Sequence, residues 1–359
     1  MADNDDVYRN LEIVHSITSL LMSLAAITNS LLIYVVNCYS APEIGTYKYL
    51  IMCFGIFSIF YSILDLTVQP MTFCWRHSYG FFATSFLRYA PFELQIITSL
   101  IPGAYSMSIF LLMLHFIYRY FVLCQKQHLR WFRFPRNLVW IGLFTLYSSS
   151  FSLVIFFGLK SDRLKRDYVR GYFMETYNVN VDKVYVFTGL YFEGGEQNAK
   201  TPRLKDFLVV TILIFLITIV LVVMFCIFFK MVRALKVLNT TMSKRSQRLQ
   251  VQFFRALTIQ LFLPMFTAFL PVGMLYICPL FEIEVKILSS IIVILFSSHI
   301  LLDAWVTLLV IRDYRTALLR ILHKFYKKPI FRNNQVQLNN SGLVNKSDQT
   351  TPAQDSSLQ

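Results

Sequence analysis

Long apolar runs alternate with short polar connections along the whole chain. Seven runs are long enough to cross about 30 Å of hydrocarbon as helix, which takes roughly 20 residues. They extend from about Ile13 to Val36, Tyr47 to Met71, Phe92 to Phe121, Asn137 to Gly158, Phe207 to Phe229, Phe253 to Ile277 and Ile287 to Val310. The fourth is interrupted by Ser148, Ser149, Ser150 and Ser152, whose hydroxyls can bond back to their own helix. After the seventh, residues 311–326 place Ala317, Leu318, Ile321, Leu322 and Phe325 on one helical face and Asp313, Arg315, Arg320 and Lys324 elsewhere. That period suits an amphipathic helix along the inner leaflet. Residues 327–359, rich in Asn, Gln and Ser, are predicted to be a disordered tail. The fold class predicted is an all-α membrane protein with a seven-transmembrane-helix bundle at 13–310.

Composition agrees with lipid as the solvent. Of 359 residues, 56% are hydrophobic and only 15% charged, where a soluble domain carries about 25% charged residues. The net charge of +14 does not form a nucleic-acid-binding face, because the basic residues flank the apolar runs. Their distribution gives an orientation. The third connection holds Lys126, Arg130, Arg133 and Arg136 with no acid. The fifth holds Lys230, Arg233, Lys236, Lys244, Arg245, Arg248 and Arg255, again with none. Residues 1–12, by contrast, contain Asp3, Asp5 and Asp6. The N-terminus is therefore expected outside and the C-terminus inside, with the first run acting as its own signal-anchor. The Asn-x-Ser/Thr sequons at Asn239, Asn339 and Asn345 then face the cytoplasm and are expected to stay unglycosylated.

Catalytic chemistry is not expected. The six histidines are scattered, with no HxxH, HExxH or GxSxG string, and the six cysteines show no CxxC pair. No cofactor or metal is expected. What remains is a set of polar residues inside the apolar runs, costly in lipid and so functional candidates. Asp65 stands about eighteen residues into the second run, roughly 27 Å along a helix, with Gln69 one turn beyond. Glu93 and Gln95 open the third run, Ser289 and Ser290 the seventh, and Tyr276 closes the sixth. These residues could line an outward-facing, aromatic-walled cavity; alternatively they are interfacial caps and interhelical hydrogen bonds. Asn29 and Asp303 form a second layer at matching depth, and a hydrogen bond between them, with Ser58 near, is the arrangement expected to offset their burial.

The connection from Lys160 to Lys205 is long enough for structure of its own. Asp162 to Thr176 reads as an amphipathic helix, and Val184–Phe187 and Leu190–Phe192, split by Gly189, read as short strands. It is expected to cover the cavity mouth.

Several strings, in order, resemble those of the nematode serpentine receptor class r (Str) chemoreceptors. They are Gly45-Thr46-Tyr47-Lys48-Tyr49-Leu50, Phe57-Ser58-Ile59-Phe60-Tyr61-Ser62-Ile63-Leu64-Asp65 and Pro70-Met71, then His115-Phe116-Ile117-Tyr118-Arg119-Tyr120-Phe121. Gln252-Phe253-Phe254-Arg255-Ala256-Leu257 with Pro264 and Pro271-Val272-Gly273 follow, and Ile311-Arg312-Asp313-Tyr314-Arg315 ends the set. The resemblance implies a G-protein-coupled receptor for a small odorant or pheromone-like ligand, in the plasma membrane of a sensory-neuron cilium. Its partners would be that ligand, a heterotrimeric G protein and membrane lipid. Arg119 then belongs to the G-protein-facing surface, with Arg248 and Arg255 beside it and Asn29, Ser58 and Asp303 as relay. Arg119 has tyrosines on both sides, so no adjacent acid can lock it, and a snorkelling anchor is the plainer alternative. Prolines that relatives carry around Asp303 are absent, so the seventh helix is expected to be unbroken. Cys74 and Cys278, the available pair on the outer side, are expected to stay unbonded. A seven-helix ligand-gated channel or transporter is the competing reading.

Overall fold

In the computed structural model the backbone is described for residues 2–89, 92–194, 200–237, 244–284 and 286–326. The side chains of 2–10, 92–95, 237, 244–246, 286, 288, 325 and 326 are outside that description. The predicted tail 327–359 and the three sequons lie outside the described residues.

Seven helices among the described residues are long and apolar enough to cross a membrane. They are α1 (Ala2–Tyr39), α2 (Tyr47–Val68), α3 (Phe92–Cys124), α4 (Leu138–Gly158), α6 (Leu204–Val237), a sixth element in three parts, and α9 (Lys286–Val310). The sixth comprises α7 (Lys244–Pro264), a π turn (Met265–Phe269) and α8 (Leu270–Ile277). Between α4 and α6 lies a short helix, α5 (Arg163–Tyr177), and α10 (Arg312–Tyr326) follows α9. The described residues up to Leu318 form one compact unit, and those from Leu319 to Tyr326 belong to another.

α3 is the central helix: 72% of its most apolar window is buried, against 17% for α4 and for α6. Ile27, Leu146 and Phe215 are each more than 60% exposed, an apolar surface that water would not tolerate over such an extent but lipid would. The serines of α4 divide their bonds. Ser150 Oγ donates to the Leu146 carbonyl of its own helix, whereas Ser148 Oγ crosses to the Gly103 carbonyl of α3 at 3.0 Å. A Cβ on Gly103 would stand 1.8 Å from Ser152 Oγ, so glycine is what lets α3 and α4 approach so closely.

The π turn has an identifiable cause. Pro271 has no N–H for the Thr267 carbonyl four residues back, and its ring crowds that carbonyl. The chain widens over Met265–Phe269, the segment containing Thr267. α9, without proline, is one unbroken helix, as expected.

Several expected boundaries are corrected. The second span ends at Val68, not Met71, because Pro70 cannot continue a helix and Gln69 turns left-handed at φ 48°. Pro70 and Met71 instead begin β1 (Pro70–Trp75), which pairs antiparallel with β2 (Ser78–Ala83). The first helix extends beyond 13–36 at both ends, since no breaker precedes Ile13 or follows Val36 before Pro42. The fifth likewise exceeds 207–229. In the long connection the helix forms nearly as expected, with Asp162 Oδ1 capping the Lys165 N–H at 2.9 Å. Its strands do not split at Gly189: β3 (Val186–Leu190) runs straight through it and adds to β2, giving the order β1-β2-β3. Gly189 is needed for packing instead, as a Cβ there would sit 2.1 Å from the Tyr79 ring. Two further short strands, β4 (Phe192–Glu193) and β5 (Thr201–Pro202), pair with each other.

This sheet caps one end of the bundle. Phe73, Phe82, Val169, Tyr172, Phe173 and Val186 form a core between sheet and α5, joined by Val14 of α1 and Val293 of α9. A buried ion pair ties it to the first turn of α6: Lys165 Nζ lies 2.5 Å from Asp206 Oδ1, both side chains at most 1% exposed, and also donates to the Thr188 carbonyl at 2.8 Å. Burial pulls the Lys165 ammonium below its ordinary pKa, against the pull of Asp206. Arg203 completes the group, reaching Asp206 Oδ2 at 3.0 Å, Asp162 at 2.7 Å and Glu193.

Removing Asp206 leaves the buried Lys165 ammonium without its ion-pair partner, so Asp206→Leu is expected to cost about 3–5 kcal/mol of stability. The double variant Lys165→Met with Asp206→Leu is expected to recover much of it. Thermal melting of the purified protein, with surface expression in parallel, measures both.

Cys74 and Cys278 are buried free thiols, and burial, with Cys278 and Glu284 adding, pushes the Cys74 thiol up to about 12. Only the thiolate reacts, so at pH 8 N-ethylmaleimide is expected to leave Cys74 unmodified in the folded protein and to modify it after denaturation. Peptide mass spectrometry distinguishes the two states.

Candidate functional site

Under the sheet the helices leave a cavity of about 140 Å³, the scale of a protein cavity that holds benzene. Its walls come from six spans and the hairpin. α2 supplies Tyr61 and Asp65, α3 Ile101, Pro102 and Tyr105, and α4 Phe151 and Ile155. Ile217 comes from α6, Ala268 and Phe269 from the π turn, Val272, Leu275 and Tyr276 from α8, and Ile292, Val293 and Phe296 from α9. Pro70, Thr72, Tyr79, Gly80 and Phe81 close the sheet side.

Local sequence positions these groups. The π turn brings Ala268 and Phe269 into the wall, and widened turns of this kind recur at functional sites. Pro102 lies inside α3, where its missing N–H frees the Thr98 carbonyl. Thr72 Oγ1 donates to the Ser289 carbonyl at 3.1 Å, which fixes the hairpin on the start of α9. Tyr191 OH donates to the Tyr276 carbonyl at 3.0 Å and ties the long connection to α8.

Of the expected ligand residues, Asp65 and Tyr276 reach the cavity. Asp65 is 5% exposed, and no hydrogen-bond or ion-pair partner for its carboxylate occurs among the described residues. Gln69, Ser289 and Ser290 are not in the wall. Gln69 is diverted by the turn into β1, its carbonyl accepting from Thr84 N–H at 3.1 Å. Ser289 is buried beside that wall, and Ser290 is half-buried. The side chains of Glu93 and Gln95 lie outside the described residues. The long connection was expected to cover the mouth, but the hairpin of the second connection does so directly. Residues 160–194 back that hairpin and contribute nothing to the wall.

The deeper layer also differs. Asn29 and Asp303 are both buried on adjacent helices, yet they are not bonded to each other. Asn29 Nδ2 turns back to the Ala25 carbonyl at 2.8 Å, and Ser58 Oγ does the same to Phe54 at 2.9 Å. Such bonds within a helix require no matched approach of two helices. Asp303 lies 3.6 Å from His299 Nε2, one turn away on its own helix. Gln260 of α7 spans to α9 instead, donating to the Asp303 carbonyl at 3.3 Å and to Thr307 Oγ1 at 3.2 Å.

At the end of the bundle opposite the sheet, Arg119 does not snorkel. It is 2% exposed, and its guanidinium carbon lies 3.6 Å from the ring centre of Tyr47 and 3.5 Å from that of Phe253. Nη1 donates to Gln250 Oε1 at 3.2 Å. A cation held between two aromatic faces is stabilised by their quadrupoles, by about 2 kcal/mol when desolvated. Tyr47 is set in turn by His115, whose Nδ1 lies 2.8 Å from its hydroxyl. One α3 side chain thus joins α2 and α7. Arg248 and Arg255, on the same helix as Phe253, are exposed. Tyr47, Gln250, Phe253 and Gln260 were missed in the sequence. Gln250 and Gln260, polar residues in or beside an apolar run, carried a signal; an aromatic among 54 Phe and Tyr residues carries none.

Comparison with known proteins agrees with this architecture. Residues 14–319 match the family described as the serpentine type 7TM GPCR chemoreceptor Str. The G-protein coupled receptor str-33 of Caenorhabditis elegans is 29% identical over 299 residues, which are 82% of this chain and 86% of that protein. The serpentine receptor class r-10 of the same organism is 25% identical over 281 residues, 78% and 82% of the two chains. Serpentine receptor class J-38, also from C. elegans, is 23% identical and covers 73% and 78%. These relatives are receptors and not enzymes, and with seven membrane-length helices matching along nearly their whole extent, this chain is a multi-pass membrane protein belonging to the Str family of seven-transmembrane chemoreceptors.

Proposed function

We propose that this receptor takes a small volatile or lipophilic ligand into the cavity beneath the sheet and signals to a heterotrimeric G protein at the Arg119 end. The observation that carries the reading is the cavity itself: benzene-sized, apolar and aromatic, and walled by six spans at once. A ligand bound there touches α2, α3 and α9 together with the π turn of the sixth element. It can therefore favour one packing of those helices over another. The opposite end offers the element to be biased. Arg119 clamps α2, α3 and α7, while two of its guanidinium nitrogens, Nε and Nη2, have no partner among the described residues. Moving α7 away would part Phe253 from Arg119 and free a cation beside the exposed Arg248 and Arg255.

The acid-free third and fifth connections support an extracellular N-terminus (1–12), a bundle at 13–310, an inner-leaflet helix at 311–326 and a cytoplasmic tail at 327–359. A plasma-membrane location on a sensory-neuron cilium is part of the same proposal. A ligand-gated channel of the insect odorant type would have its N-terminus inside. Tags after Met1 and Gln359 are expected to stain without and only with permeabilisation, respectively. The reverse pattern would sink the receptor reading.

The two ends are expected to separate in function. Ala268→Phe, which fills the cavity from the π turn, is expected to weaken ligand potency at least about tenfold, equivalent to 1.4 kcal/mol, at normal surface expression. Asp65→Asn is expected to change potency with the maximal response retained. Arg119→Ala is expected to lower maximal second-messenger output with binding largely kept, and Arg119→Lys, which keeps charge but not planar stacking, to fall between. Dose–response curves in a heterologous cell against an odorant panel measure all four. Identical effects of the cavity and Arg119 variants on potency and maximum would refute the division.

A further inference from the structure

Asp65 is an unusual group for the wall it occupies. The residue is 5% exposed and contributes to the cavity surface, and its carboxylate has no hydrogen-bond or ion-pair partner among the described residues. No Lys, Arg or His lines the cavity among those residues, and Asp65 is the one acid there. Apart from Thr72, the remaining wall is apolar or aromatic, as at Tyr61, Tyr105 and Phe296. A carboxylate in such surroundings is costly unless a cation joins it. Aromatic faces around the same space favour a cation further.

We infer that the ligand of this cavity is a small lipophilic amine, whose ammonium group pairs with Asp65 while its hydrocarbon part fills the aromatic remainder. The inference rests on the cavity being the ligand site. A free metal cation does not suit the wall: calcium takes six to eight oxygen ligands, and one carboxylate with scattered hydroxyls supplies too few. An anionic ligand would meet the Asp65 charge with nothing to offset it. A neutral ligand would leave the carboxylate as it is, buried and unpaired. An aliphatic amine is protonated at neutral pH, brings the missing charge and donates up to three hydrogen bonds. Cavity volume limits it to roughly benzene scale, on the order of six to ten heavy atoms.

The test uses the full-length receptor in lipid nanodiscs and direct calorimetric binding. The probes are primary alkyl- and arylamines of that size, each paired with the alcohol of the same skeleton. Amines are expected to bind more tightly than their alcohols, and Asp65→Asn to weaken the amines at least about thirtyfold while changing the alcohols less than about threefold. Asp65→Glu, which keeps the charge, is expected to retain the preference for amines. Alcohols binding as well as amines, an equal effect of Asp65→Asn on both, or no amine binding at all would each overturn the inference. Ala268→Phe separates it from the wider reading. If that variant abolishes binding of whichever compounds bind, the cavity is the ligand site even where the amine preference fails; if binding survives it, the site lies elsewhere.

Discussion

Hydrocarbon offers no hydrogen bonds, so every backbone N–H and C=O in the membrane must find its partner inside the protein. The rest of this molecule follows from that constraint. The spans are helices because helices satisfy themselves, and the sixth departs from regular helix at the π turn, where Pro271 follows and cannot supply an N–H. Extended backbone begins at the sheet end, where α2 stops before Pro70. There the chain satisfies itself in a second way, by pairing β1, β2 and β3.

The same scarcity of water makes each polar side chain inside the bundle a choice among few options. Ser58, Ser150 and Asn29 bond to their own helix and leave packing undisturbed. Ser148 and Gln260 cross to a neighbour and fix a helix pair. Arg119 is held mainly by aromatic faces, an attachment that two helices can leave without breaking a carboxylate pair. Asp65 takes none of these options and faces the cavity instead. Asp65 and Arg119, both buried, are thus at opposite ends of the bundle. One faces the space a ligand would fill; the other stands where α2, α3 and α7 meet.

The capping sheet gives the cavity its second boundary. It is anchored three times over: by its aromatic core with α5, by the Lys165–Asp206 pair to α6, and by Thr72 to the start of α9. A wall so attached moves with the helices it joins. Rearrangement around a ligand is then felt by α6 and α9 as well as by the residues in contact.

Seven spans were legible in the sequence because the lipid requirement is local: about twenty apolar residues in a row satisfy it whatever surrounds them. The loop helix capped by Asp162 and the unbroken α9 were legible for the same reason, since caps and prolines act within one turn. Asp65 stood out because a lone acid in an apolar run is conspicuous. The hairpin was not legible, as Pro70 and Met71 continue an apolar pattern and nothing nearby announces that β3, more than a hundred residues on, will pair with Ser78–Phe82. Nor was the aromatic clamp: Tyr47, Arg119 and Phe253 are far apart in sequence, and each is ordinary alone. The Asn29–Asp303 bond was a matter of depth along two helices, but hydrogen bonding also needs rotation and distance, and those are set by how the helices pack. Properties confined to one turn or one span were readable from the chain; pairings among separate spans depended on tertiary structure, because only packing decides which faces meet.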